Sequence, residues 1–179
     1  MCGLTGIFHL DGRSIQEDVL DRMTDALAHR GPDGRGTCIR QSLGLGHRRL
    51  SILDVSSRGA QPMHSGDGRW TIVFNGCIYN FRELRKQLEL LGSEFRSGTD
   101  TEVIAEGLRH FGPEYFLQFD GMFAIAAWDD REKALYISRD RFGVKPLYYY
   151  FDGRLFLFGS EIKAILAHPG YRMQLNAEA

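Results

Sequence analysis

The order in which two hydrophobic periodicities succeed each other constrains this 179-residue chain more than any other feature. Residues 3–10 read as a buried strand. Ile15, Val19, Met23 and Leu27 then recur at helical spacing, and this helix should stop near Arg30-Gly31-Pro32-Asp33. Strands are predicted at 36–39, 43–52 and 70–75, with a polar loop over 56–67. Two helices follow. Asn80 with Glu83, and Thr99 with Glu102, have the spacing of capping boxes. Phe81, Leu84, Leu88 and Leu91 would form the apolar face of the first helix, and Val103, Ile104 and Leu108 that of the second. From Gly121 the pattern is almost wholly β, at 122–128, 134–139, 147–151 and 155–158, with turn chemistry at Asp129-Asp130 and Asp152-Gly153. A last helix should start near Ser160. Helices grouped between two sets of antiparallel strands predict an α+β layered fold, not a doubly wound parallel sheet.

The strand at 3–10 begins at the very start of the chain, so it would tie down a terminus that otherwise frays. The length fits one domain, and 43% hydrophobic with 25% charged residues is an ordinary globular balance. A formal net charge of -1 gives no global attraction to nucleic acid or an anionic membrane, although His47-Arg48-Arg49 is locally basic. Cys2, Cys38 and Cys77 form no C-x-x-C pair, which argues against a disulfide framework and a structural zinc site. The simplest setting is reducing and cytoplasmic. His9 and Asp11 interrupt the first apolar run, unlike a signal peptide, and no apolar run is long enough to span a bilayer. Periodicity is lost over 168–179, as at the start of a linker.

No G-x-x-x-x-G-K-[ST], H-E-x-x-H or G-x-S-x-G pattern occurs, and Gly44-Leu45-Gly46 reads as a strand needing small residues. The chain therefore offers no nucleotide, NAD or zinc-hydrolase site of its own. It does offer Met1-Cys2-Gly3. Removal of Met1 would place a thiol and a free α-amine on one residue, with ordinary pKa values of about 8.5 and about 7.7–8.0. Nucleophile and base could then share one position.

Met1-Cys2-Gly3 with Gly6-Ile7-Phe8 and His29-Arg30-Gly31-Pro32-Asp33 resembles the class II glutamine amidotransferases. Arg49-Leu50-Ser51-Ile52, Phe74-Asn75-Gly76, Ile78-Tyr79-Asn80, Asp120-Gly121-Met122-Phe123-Ala124, Arg139-Asp140-Arg141-Phe142-Gly143 with Val144-Lys145-Pro146, and Ser160-Glu161-Ile162-Lys163-Ala164 continue the likeness. In this order they resemble the glutaminase half of glutamine-dependent asparagine synthetase. The resemblance implies the N-terminal nucleophile hydrolase fold, a four-layer αββα sandwich of two antiparallel sheets, over 1–167. It implies that Cys2 attacks the amide of L-glutamine, releases ammonia and forms a γ-glutamyl thioester. It further implies that 168–179 lead to a C-terminal synthetase domain not in this chain. ATP and magnesium would serve that domain, and this one would need no cofactor or metal. A homodimer is left open.

Each site residue also has a plainer reading. Arg49 could be one more surface charge; by resemblance it grips the substrate carboxylate, a task suited to a planar guanidinium. Leu50, Ser51, Ile52 and Leu53 would line the same pocket, largely through backbone. Asn75-Gly76 is locally the strongest hairpin signal in the chain, whereas the resemblance makes the Asn75 amide and the Gly76 N–H an oxyanion hole. Asp100 could simply complement a helix dipole; by resemblance it meets the substrate ammonium. Arg30 and Asp33 read as a loop brace, and Lys145 and Glu161 as structural or interdomain contacts. Cys77 departs from the family pattern, which usually has Glu there, and is expected beside the pocket without a catalytic role. Two other readings stay open. One is a glutaminase domain serving another acceptor; the other is a catalytically silent scaffold domain, distinguished by a retained Met1.

Overall fold

The computed structural model describes residues 1–171. Strand β1 (Gly3–His9) starts one residue after Cys2 and is the middle strand of a five-stranded sheet. β3 (Leu43–Arg49) and β9 (Leu155–Gly159) flank it, and β2 (Gly34–Arg40) and β8 (Tyr148–Phe151) are the edges. A second sheet contains β4 (Met63–His64), β5 (Trp70–Ile78), β6 (Gly121–Asp129) and β7 (Ala134–Arg139) in chain order. Every pairing between these strands is antiparallel.

Side-chain alternation sorts the core into three layers. Leu4, Leu45 and Phe158 of the first sheet meet Val73, Ala126 and Trp128 of the second. On the other face of the first sheet, Ile7 and Leu157 pack with Val19, Leu20 and Met23 of α1 (Glu17–Asp25) and Ile165 of α4 (Ile162–Leu166). Ile72, Phe74 and Ile125 pack outward with Leu84 and Leu88 of α2 (Phe81–Leu90) and Val103 and Leu108 of α3 (Asp100–Phe111). Helices, sheet, sheet and helices are therefore stacked in the expected four layers. Gly46 is small because α1 lies on it: a Cβ there would overlap Thr24 Oγ1.

The structure departs from the local sequence signals at four places. Asn75-Gly76 forms no hairpin turn, because β5 runs straight through it and pairs with Ala124 and Phe123 of β6. The strand predicted over 43–52 ends at Arg49, where the chain turns away and the Ser51 N–H donates to Asp33 Oδ2 at 2.9 Å. Asn80 closes no capping box. Its side chain instead bridges the backbone, donating to Gln118 O at 2.9 Å and accepting from the Asp120 N–H at 3.1 Å. Thr99 does cap α3, accepting from the Glu102 N–H at 3.2 Å, but the Glu102 carboxylate takes the N–H groups of Arg96 and Ser97.

Within the expected linker, His168 is buried and Tyr171 stacks edge-on against Tyr150, with 5.1 Å between ring centroids. Residues 172–179 lie outside the described residues. Among the described residues no helix is long and apolar enough to cross a membrane. No cluster of three or more His, Cys, Asp or Glu side chains arranged to hold a metal occurs among them either.

Candidate active site

One cavity of about 300 Å³ is lined by Cys2, Arg49, Leu50, Ile52, Leu53, Asn75, Gly76, Cys77 and Asp100. Every site residue predicted from the sequence is there except Ser51, which lines the cleft behind Arg49. The elements meet because Cys2 leads into β1 in one sheet, while Asn75, Gly76 and Cys77 lie on β5 in the other. The cavity thus opens at one end of the layer between the sheets.

Cys2 is fixed from two directions. Its Sγ lies 3.4 Å from the Leu50 N–H, which donates to it, and 3.6 Å from the Leu50 carbonyl. Its own carbonyl accepts from Arg30 Nε at 2.9 Å, and Arg30 Nη1 pairs with Glu161 at 3.0 Å. Burial alone would raise the Glu161 carboxyl, but hydrogen bonds with Arg30, His29 and Lys163 outweigh it and hold the group at about 2. Arg30, Asp33 and Glu161 therefore brace the loops around the nucleophile, as expected for the first two.

Asn75 is 2% exposed, and its Nδ2 is a buried donor with no hydrogen-bond partner. Such an amide is costly to leave idle, which makes it a functional signal. Gly76 cannot carry a side chain: a Cβ would overlap the Met122 carbonyl on β6. Arg49 leaves β3 toward the 50–56 loop, where Nη1 donates to Ser56 O at 2.7 Å and Nη2 to Asp54 O. Asp54 in turn accepts from the Gly98 N–H at 3.2 Å, tying the loop to the approach to α3.

Asp100 is 3% exposed, and its Oδ2 accepts from the Ile78 N–H at 3.0 Å. Burial pushes its carboxyl up to about 6, although backbone hydrogen bonds oppose the change. A buried acid without a cation is poised for a positively charged ligand. The Cys77 thiol is pushed up by burial and then by Asp100, with Lys145 opposing. Cys77 is thus beside the cavity and less readily ionised than an ordinary thiol.

Lys145 also lines this cavity, is 7% exposed, and places Nζ 3.4 Å from Met1 Sδ. In sequence Lys145 reads as a structural or interdomain contact, because its position between Val144 and Pro146 carries no local mark of a pocket. Gln61 is likewise in the wall and had no local signal beyond the proline that follows it.

The four layers, with a cysteine at the head of the central strand of one sheet, define the N-terminal nucleophile fold. A solved structure shares it: glutamine phosphoribosylpyrophosphate amidotransferase from B. subtilis, complexed with ADP and GMP, aligns over 93% of this chain and 43% of its own with a TM-score of 0.78 and 22% identity. The chain belongs to the glutamine amidotransferase domain family, which matches residues 1–179. Glutamine-hydrolyzing asparagine synthetase 3 of Bacillus subtilis (strain 168) is 41% identical over 98% of this chain and 29% of its own length. A putative glutamine-hydrolyzing asparagine synthetase 2 of Methanocaldococcus jannaschii is 41% identical over 93% of this chain and 35% of its own. The chain spans about a third of the length of these relatives.

Proposed function

We propose that this domain hydrolyses L-glutamine through a Cys2 thioester and hands the ammonia to an ATP-dependent synthetase domain that makes asparagine. The observation that carries the chemistry is the buried, unpartnered Nδ2 of Asn75, a residue that lines the same cavity as Cys2. With Met1 removed, the Cys2 α-amine accepts the thiol proton as sulfur bonds to the amide carbon. The carbonyl oxygen becomes an oxyanion, which Asn75 Nδ2 and the Gly76 N–H stabilise as charge develops. The protonated amine gives its proton to the leaving nitrogen, the C–N bond breaks, and ammonia departs. Water then adds to the thioester, and loss of the thiol releases glutamate.

Arg49 and Asp100 are assigned to the substrate α-carboxylate and α-ammonium, with Leu50, Ser51, Ile52 and Leu53 shaping the wall. The ammonium assignment rests on the buried, uncompensated Asp100; the Arg49 assignment requires its loop contacts to rearrange or be shared. The asparagine half of the reading is supported by the names and greater length of the 41%-identical relatives. ATP and magnesium belong to that half, and no step assigned to these residues uses them. A connection onward to that domain and a cytoplasmic setting complete the reading.

Intact mass and glutamate release from one preparation test it. The expected result is loss of Met1 together with glutamine hydrolysis that Cys2→Ala abolishes without unfolding the protein. Hydrolysis at the original rate in Cys2→Ala would remove Cys2 as nucleophile, and an active chain with Met1 retained would remove the α-amine as base.

A further inference from the structure

β5 carries both assigned oxyanion donors, yet one of its sides runs out of strand partner just before them. In an antiparallel ladder the N–H and C=O of one residue point to the same side, and successive residues alternate. β6 covers one side of β5 from Trp70 to Ile78. On the other side β4 reaches only Thr71 and Ile72. At Phe74 two side chains take over: its N–H donates to Gln61 Oε1 at 2.6 Å, and its C=O accepts from His47 Nε2 at 3.0 Å. Two residues on, the same side of Gly76 faces the cavity. Two further on, the Ile78 N–H is taken by Asp100.

The two substitutes for a strand come from separate places. His47 is on β3, so its bond crosses the layer between the sheets. A carbonyl only accepts, so Nε2 carries the ring proton. Burial pushes the imidazole down to about 4, which keeps it neutral near pH 7. Gln61 comes from the loop before β4, and its Nε2 donates to Thr101 Oγ1 at 3.2 Å on α3. The two side chains are 1% and 7% exposed. Since Asp100 has its own assigned work at the substrate, His47 and Gln61 are the dedicated anchors on this side of the strand.

We propose that His47 and Gln61 are positioning residues for the oxyanion hole, acting through both peptide groups of Phe74 to set where Asn75 Nδ2 and the Gly76 N–H point. This rests on the glutaminase reading above. Neither residue touches the reacting atoms; the pair replaces the strand that would otherwise occupy the place where the substrate carbonyl must enter. β4 stops short, and the gap it leaves becomes the cavity, so the strand beside the gap needs a different support.

The test compares Gln61→Met, His47→Leu and His47→Gln in the full-length chain, the last retaining an amide donor at similar reach. Steady-state glutamine hydrolysis is measured beside the rate at which iodoacetamide alkylates Cys2, followed by peptide mass mapping. Alkylation is a direct displacement that builds no oxyanion, so it reports an intact Cys2 environment alone. Gln61→Met and His47→Leu should lower kcat by about 10- to 100-fold, the scale of misplacing catalytic groups by about an ångström. KM and the alkylation rate should stay within about twofold, as for loss of an interaction that matters chiefly in the transition state. His47→Gln should recover most of kcat. An unchanged kcat, a rise in KM alone, or equal losses of kcat and alkylation would overturn the proposal. Should His47→Leu not fold, Gln61→Met decides by the same criteria. If the wild-type chain does not hydrolyse glutamine, the glutaminase reading fails and takes this one with it, an outcome separate from active wild type with indifferent variants.

Discussion

Replacing Asp100 with Asn separates what its burial costs the fold from what its charge contributes to the site. Its carboxyl lies at about 6 against an ordinary 3.8. Well below the ordinary 3.8 both folded and unfolded chains hold the proton, and there is no penalty. As pH rises toward 6 the unfolded chain releases the proton while the folded chain keeps it, so stability falls; above 6 the loss is complete. At about 1.4 kcal/mol per pH unit the wild-type penalty grows from about 1 kcal/mol at pH 4.5 to about 3 kcal/mol at pH 8. Asn cannot titrate, so the stability advantage of Asp100→Asn should grow by about 2 kcal/mol across that interval. This difference cancels any constant effect of the altered hydrogen bonds. At roughly 2–4 °C per kcal/mol for a chain of this size, it amounts to about 4–8 °C in Tm. Thermal or urea unfolding of both proteins at the two pH values measures it. The same variant should lose glutamine kcat/KM by about 10- to 100-fold, because an amide cannot replace a charge-assisted bond to the ammonium. A stability difference independent of pH would refute the burial argument, and an unchanged kcat/KM would refute the ammonium assignment.

Steady-state kinetics should also divide the other contacts. Asn75→Ala should lower kcat by about 10²–10³-fold with little change in KM, whereas Arg49→Ala should chiefly raise KM; a pure KM effect in Asn75→Ala would void the oxyanion assignment. Gly76→Ala should destabilise the domain by about 1–3 kcal/mol, the usual cost of overpacking, and also abolish turnover, since the obstructing Met122 carbonyl is backbone that a rotamer change cannot move. Urea titration checks the first part. Cys77→Ser should leave turnover nearly unchanged, and a glutamine-like electrophile should label Cys2 and spare Cys77, whose thiol is pushed up by burial and by Asp100. Labelling centred on Cys77 would put the nucleophile at the wrong cysteine.

Much of the layer order was legible because periodicity is a local signal that burial makes reliable. The alternation in β1, with Leu4 turned toward the second sheet and Ile7 toward α1, follows directly from a strand buried on both faces. Element ends were less legible, because tertiary partners decide them. Helical spacing begins at Ile15, but Ile15 N–H bonds to Gln41 O and α1 starts only at Glu17. The Asn80-to-Glu83 spacing suits a capping box; Gln118 and Asp120, distant in sequence, offered Asn80 other partners. The Cys2 thiol could be singled out from its place at the terminus, yet nothing local foretold the Arg30–Glu161 pair that holds its carbonyl.

The Asn75-Gly76 dipeptide shows most clearly where local reasoning stops. It signals a hairpin because both residues tolerate the positive φ of a tight turn. Neither Asn75 nor Gly76 is among the positive-φ residues of this chain. Gly is needed here because β6 passes close enough for the Met122 carbonyl to exclude a Cβ, and Asn because it brings a buried, unpartnered amide to the wall of the cavity. The same two letters thus answer to either of two physical demands, and the choice between them lies with Met122 and with a strand, β4, that ends too soon. Once β4 stops, the backbone side it abandons must be satisfied at Phe74 and left open at Gly76. His47 on β3 and Gln61 in the loop before β4 meet the first requirement, and neither carries a motif that announces it. A reading confined to neighbours in sequence can find the donors of this site, but not the residues that hold them in place.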